Sequence, residues 1–224
     1  MGIKYFVNEN FFKKWSKEMA YVLGLITADG SLEDASYLRG KYIRFSNTDK
    51  ELVYLVKKYL ESKHKIIKIN PPNGKEHRKT RYFIRIGSHK LFNDLVSLGI
   101  TPKKSLTMTL PRIPKKYFWH FTRGYMDGDG SVYVEKKKNR ILLIFTSGSL
   151  KFLSELASEI SKNTMVTDKP IFKGNRSFQL KYGMKNAMVI LKEIYKDCAG
   201  KLLLARKHKV YKEFIRDKAR WRSS

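Results

Sequence analysis

Asp29 and Asp129 stand one hundred positions apart, each immediately before a glycine at the end of a similar nonapeptide, VLGLITADG (Val22 to Gly30) and TRGYMDGDG (Thr122 to Gly130). The same offset relates Gly24 to Gly124 and Ser31 to Ser131, and several residues sharing one spacing mark a duplicated unit. Each nonapeptide reads as the last turns of an apolar helix stopped by its glycine. The C-terminal end of a helix carries partial negative charge, so an acid there costs about 0.3 to 1 kcal/mol and a lysine would be favoured. In a chain with 47 Lys+Arg against 20 Asp+Glu, acids at both ends need a chemical reason.

The small residues supply part of that reason. Gly24 with Ala28, and Gly124 with Gly128, lie four apart on one face of each helix, which lets two helices approach closely and brings Asp29 and Asp129 together. Two carboxylates about 5 Å apart repel by roughly 3 kcal/mol at an effective dielectric near 20, a cost that a divalent cation removes. Hard oxygen ligands open to water suit Mg²⁺ better than zinc, with Mn²⁺ as a substitute. A calcium loop is excluded. DGDGS (Asp127 to Ser131) begins like one, but Val132 takes the place of its glycine and Lys138 that of its bidentate glutamate.

The flanking sequence predicts elements that repeat in the same order. Ser16 caps a helix carrying Met19, Ala20, Leu23 and Ile26, ended by Gly30. A strand over Ser31 to Leu38 turns at Arg39-Gly40 into Lys41 to Asn47, where Ile43 and Phe45 alternate with Arg44 and Ser46. A helix over Asp49 to Ser62 follows, then strands over Lys65 to Asn70 and Arg81 to Gly87 and a helix over His89 to Leu98. Pro111 and Pro114 mark a linker, which predicts an N-terminal half over 1–111 and a C-terminal half over 112–224. The second half reads as a helix from about Lys115 to Asp127, strands SVYVE and RILLIFTS, and a helix over Leu150 to Ser161. A hairpin around KGN (Lys173 to Asn175), a helix over Asn186 to Lys196 and a basic final helix over Leu202 to Asp217 complete it. No low-complexity segment separates the halves, so they are expected to pack together.

Composition points to the partner. The 224 residues carry a net charge of +27 with 42% hydrophobic and 13% aromatic residues, a folded chain whose surplus charge calls for a polyanion. No apolar run approaches a membrane span, and the start of the chain lacks signal-peptide and myristoylation patterns. The single cysteine, Cys198, excludes an internal disulfide and zinc-finger spacing, and an intracellular setting is expected, its compartment left open. The five histidines show no metal-binding spacing and are expected at the surface or facing DNA.

Both nonapeptides resemble the LAGLIDADG motif of homing endonucleases. The second has the family's Gly, Asp, small residue, Asp and Gly; the first departs at Thr27, where the pattern has an acid. The family's catalytic carboxylate, the eighth motif residue, falls on Asp29 and Asp129, which leaves capping and packing to Thr27 and Asp127. The resemblance implies an α+β fold of two pseudo-symmetric αββαββα halves. Each half would form a four-stranded antiparallel, saddle-shaped sheet, and the halves would pack through paired motif helices. The sheets would lie along the major groove of double-stranded DNA and the acids under the minor groove. The strand positions pointing away from the core, Arg44, Ser46, Lys68, Arg81, Arg85, Arg140, Gln179 and Lys181, fit that use, since arginine and glutamine pair with guanine and adenine edges.

The resemblance further implies metal ligation by Asp29 and Asp129 with the backbone carbonyls of Ala28 and Gly128. It also implies a basic residue near each scissile phosphate. Lys104 and Lys207 follow their aspartates by 75 and 78 residues and match best, with Lys103 and Arg206 as close rivals. Asn47 and Ser147 match positions that order water. The expected protein is a monomeric, Mg²⁺-dependent endonuclease that cuts a long asymmetric site to leave 3′ overhangs. The alternatives are an RNA-splicing maturase and a cleavage-inactive DNA-binding regulator on the same fold.

Overall fold

A computed structural model describes residues 5–35, 37, 40–73, 75, 77–102, 104–167, 170–198 and 202–222, with side chains to 218. Helix α1 (Lys17–Asp29) begins at Ser16, whose hydroxyl accepts the Met19 N–H at 3.0 Å. A cap of this kind contributes about 1 kcal/mol. Strands β1 (Gly30–Ala35) and β2 (Gly40–Asn47), helix α2 (Lys50–Tyr59), strands β3 (Ile66–Ile69) and β4 (Arg81–Gly87), and helix α3 (His89–Ser97) follow. The order then repeats: α4 (Phe118–Asp129), β5 (Gly130–Glu135), β6 (Arg140–Ser147), α5 (Leu150–Asn163), β7 (Ile171–Lys173), β8 (Phe178–Tyr182) and α6 (Met184–Tyr195). A further helix, α7 (Ala205–Arg222), runs along β5. The predicted αββαββα order is present twice. Leu38 and Arg39, assigned to the first hairpin, lie outside the described residues, and α4 is preceded by one 3₁₀ turn, Lys115–Tyr117.

Each half folds into a four-stranded antiparallel sheet, in the orders β1-β2-β4-β3 and β5-β6-β8-β7. Alternation decides which face is covered. Ile43, Phe45, Ile84 and Ile86 are buried against the helices in one sheet, and Ile141, Leu143, Phe145 and Leu180 in the other. Ser88 and Ser149 cap α3 and α5 as Ser16 caps α1, accepting from Leu91 and Phe152 at 3.2 Å. The two halves meet through α1 and α4, whose facing residues are fully buried. Among the described residues, no helix is long and apolar enough to cross a membrane.

Two sequence expectations are corrected. In β3, Lys68 pairs with Tyr82 and Ile66 with Ile84, so Lys68 lies on the helix-side face, whereas Ile67 and Ile69 share the open face with Phe83 and Arg81. The run Ile66-Ile67-Lys68-Ile69 is apolar on both faces, so its pattern could not set the parity; pairing with β4 does. His120 is not a surface residue. It is 4% exposed on α4, where its Nδ1 meets the Arg123 guanidinium at 2.8 Å, and burial beside that cation lowers its pKa to about 4.

Candidate active site at the paired helix ends

The approach of α1 to α4 is set by glycine. A Cβ on Gly24 would strike the carbonyl oxygen of Phe121, and one on Gly124 that of Tyr21, so backbone meets backbone at the crossing. One turn further on, a Cβ on Gly128 would lie 2.5 Å from the Ala28 Cβ and 2.9 Å from Asp29 Oδ2. The small residues therefore do what their spacing predicted, and they bring the ends of the two helices together with Asp29 and Asp129 half-buried side by side. Burial raises both carboxyls above the usual range. The charge of Asp129 adds to this at Asp29, which is pushed up to about 6 despite the hydrogen bond from Asn47 Nδ2 to its Oδ2 at 2.7 Å. A pair that resists ionising alone has spare affinity for a cation.

The lysine that the helix dipole calls for is delivered from elsewhere in the chain. Lys104, 6% exposed, donates to the Gly30 carbonyl at 2.8 Å. Lys207, 3% exposed, donates to the carbonyls of Met126, Asp127 and Gly130 at 2.6, 2.8 and 2.7 Å. Each lysine thus closes the end of the motif helix in its own half and holds positive charge beside both acids. Burial lowers both ammonium pKa values, that of Lys207 to about 8. Arg206 is committed elsewhere. It forms a bidentate pair with Asp49 at 2.9 and 2.7 Å, tying α7 of one half to the α2 cap of the other. Lys103 lies outside the described residues.

The two halves of the site differ. Asn47 and Ser147 both accept the N–H two residues on, from Asp49 at 2.7 Å and from Ser149 at 3.0 Å, and Asn47 also donates to Asp29. Thr27 bonds back to the Leu23 carbonyl at 2.7 Å within its own helix. Asp127 is fully buried, and its Oδ2 accepts from Tyr21 OH and from the Leu204 N–H, both at 2.8 Å, which joins α1, α4 and the start of α7. Its Oδ1 has no partner. Sequence reasoning missed the buried Arg123, which donates to the Leu202 and Ile194 carbonyls at 2.5 Å. The signal was available: a charge on the motif helix where the first copy has Leu23.

Desolvation lifts the Asp127 carboxyl to about 6. The folded chain therefore holds this proton more tightly than the unfolded one, and the group's contribution to stability is complete below about pH 4 and lost as pH rises through 6. The shift corresponds to roughly 3 kcal/mol. Asp127→Asn, which cannot ionise, should gain in Tm relative to the parent more at pH 7.5 than at pH 4.5. A difference in Tm that does not change between those two pH values would contradict this placement.

On the open face of the first sheet stand Arg44, Ser46, Arg81 and Arg85; on that of the second, Arg140, Gln179 and Lys181. Arg81 Nη2 donates to Ser46 at 3.3 Å, and Arg140 Nε donates to Glu135 at 2.5 Å. Lys68 is exposed on the other side of the first sheet's edge.

Residues 16–103 match the model of the LAGLIDADG-like domain. A search of curated protein sequences finds no match. Among solved structures, the homing endonuclease I-WcaI bound to its DNA recognition sequence superposes with a TM-score of 0.61 at 11% identity, covering 90% of this chain and 91% of that one. Residues 16–103 are thus similar to a LAGLIDADG-like domain, and the chain as a whole shares the fold of that structure. The same fold is found in I-DmoI in complex with DNA and Mn (TM-score 0.52, 19% identity, 83% and 96% covered). It is found also in the N-terminal LAGLIDADG domain of DUF199/WhiA (TM-score 0.55, 18% identity, 84% and 87% covered). Asp29 and Asp129, the last acids of the two repeated motifs, are the pair that the glycines bring together.

The two carboxylates, Asp29 and Asp129, offer only hard oxygen donors, a chemistry that fits a hard divalent cation. Among the described residues, no group of three or more acidic, histidine or cysteine side chains could hold a metal, so phosphate and water oxygens must complete any coordination here.

Proposed function

We propose that the protein is a divalent-cation-dependent DNA endonuclease that cuts both strands of a long, asymmetric duplex site across the minor groove and leaves 3′ overhangs. The observation that carries this reading is the Asp29–Asp129 pair, held at the helix ends against its own repulsion and flanked by two buried lysines. Mg²⁺, with Mn²⁺ as a substitute, would supply Lewis acidity at the scissile phosphates and a more acidic water. Asp29 and Asp129 would each present an oxygen to it, aided by the carbonyls of Ala28 and Gly128. Asn47 orients Asp29 by donating to its Oδ2. Lys104 and Lys207 fix the backbone at the helix ends and offset charge that builds on the phosphate. The halves are read as units over 1–111 and 112–224, and a monomer suffices because one chain supplies both. The relatives bound to DNA, one of them with Mn, support the substrate and the metal class.

A binding protein that kept the fold without cutting would be relieved by losing one acid. A maturase would need an RNA whose shape matches two antiparallel sheets; the open faces with their forked arginines suit major-groove edges instead. The test is incubation with a pool of duplex DNA in EDTA and then in Mg²⁺. Cleavage should depend on Mg²⁺ and return with Mn²⁺, and persistence in EDTA would defeat the proposal. With about ten phosphates neutralised, log affinity should fall against log salt with a slope of about −9. A slope near zero, or preference for structured RNA over duplex DNA, would count against the sheets as DNA-binding faces.

A further inference from the structure

The open faces of the two sheets occupy equivalent places and differ in chemistry at their centres, where β2 pairs with β4 and β6 with β8. In the first sheet Arg44 and Arg85 face each other in register. Like charges in that position repel, and three features hold them there. Glu33 on β1 lies between them, 2.7 Å from Arg85 Nε and 4.0 Å from Arg44 Nη1. The Arg85 guanidinium lies 3.5 Å over the Tyr42 ring, and that of Arg44 lies 4.7 Å over Phe83. Both side chains remain more than 40% exposed. Two planar forks, stacked and held in place before any ligand arrives, match the paired acceptors O6 and N7 of guanine.

One hundred residues later, Ile144 stands where Arg44 stood, Leu142 where Tyr42 stood and Tyr133 where Glu33 stood. Ile144 faces Lys181, and Tyr133 is 44% exposed. Leu142 and Ile144 are half-buried at the centre of the open face, which on the proposed reading meets DNA. An apolar strip there needs an apolar partner on that polyanion, and in the major groove of DNA the only one is the thymine methyl.

We propose that the target is compositionally polarised, with guanines contacted by Arg44 and Arg85 in the half-site under the N-terminal sheet and thymine methyls packed on Leu142 and Ile144 in the other. The proposal rests on the reading of the sheets as DNA-binding faces. The test is selection of sites from a randomised duplex pool by the full chain in Ca²⁺, followed by affinity measurements on the selected duplex with thymines replaced by deoxyuridines in one half at a time. At the base pairs under the paired central strands, β2 with β4 and β6 with β8, guanine enrichment should be confined to one half and thymine enrichment to the other; Arg140 at the end of β6 and Ile67 and Ile69 on β3 lie outside those positions. Arg85→Gln should erase only the guanine preference, and Ile144→Gln only the thymine preference. Deoxyuridine at the central positions of the thymine-rich half should weaken binding roughly fourfold per contacted methyl and at the equivalent positions of the other half less than twofold. Specific sites with guanine and thymine spread evenly, or indifference to deoxyuridine in both halves, would overturn this inference and leave the proposed function standing. Failure to retain any duplex would overturn both.

Discussion

Asp29→Asn is expected to lower double-strand cleavage by at least about 1,000-fold, a loss of ~4 kcal/mol of transition-state stabilisation, while leaving DNA affinity within a few-fold of the parent. The substitution keeps the shape of the side chain, and an asparagine oxygen can still accept from Asn47, so the helix ends should stay in place. What it removes is the charge that attracts a cation. Asp129→Asn should behave the same way, because the two acids share one centre between the halves. Rates on a plasmid carrying the target, beside gel-shift affinities, check both. Double-strand cutting at the parental rate by either variant would sink the mechanism. Loss of binding together with cutting would show instead that the acids support the fold.

The second large effect concerns the crossing of the helices. Gly124→Val should destabilise the chain by about 3 kcal/mol, at the upper end for overpacking, and lower Tm by roughly 6 to 12 °C. The new Cβ would strike the Tyr21 carbonyl, and the atoms there are backbone that cannot rotate away. The helices must separate, and with them Asp29 and Asp129, so cleavage should fall even at temperatures where the variant is folded. Gly183→Ala is the control, since a Cβ there meets nothing within 4 Å. Thermal unfolding of the two variants side by side decides the matter, and equal, small changes in Tm would mean that the crossing tolerates a side chain.

Much of this arrangement is legible in the amino-acid order because it is local and repeated. The hundred-residue offset, the small residues at i and i+4 and the strand alternation around Ile43 and Phe45 each follow from one element's own sequence. The losses are tertiary. Lys68 was misplaced because its strand carries apolar residues on both faces and takes its parity from β4. His120 and Arg123 look like surface residues until the carbonyls of Ile194 and Leu202, more than 70 positions away, come to the guanidinium. Lys104 and Lys207 were found by their spacing from the aspartates, but their place beneath the helix ends depends on how each half closes. Asp49 with Arg206, and Glu33 with Arg85, are pairs that only the packed sheets and helices bring together.

End-mapping of the products that the full chain releases from a randomised duplex library in Mg²⁺ tests the central claim most directly. The proposed placement of the paired acids under one minor groove predicts a single asymmetric site cut on both strands with 3′ overhangs, and no product when Asp29→Asn replaces the parent chain. Cuts with 5′ overhangs, cuts at unrelated positions, or a bound site that is never cut would contradict it.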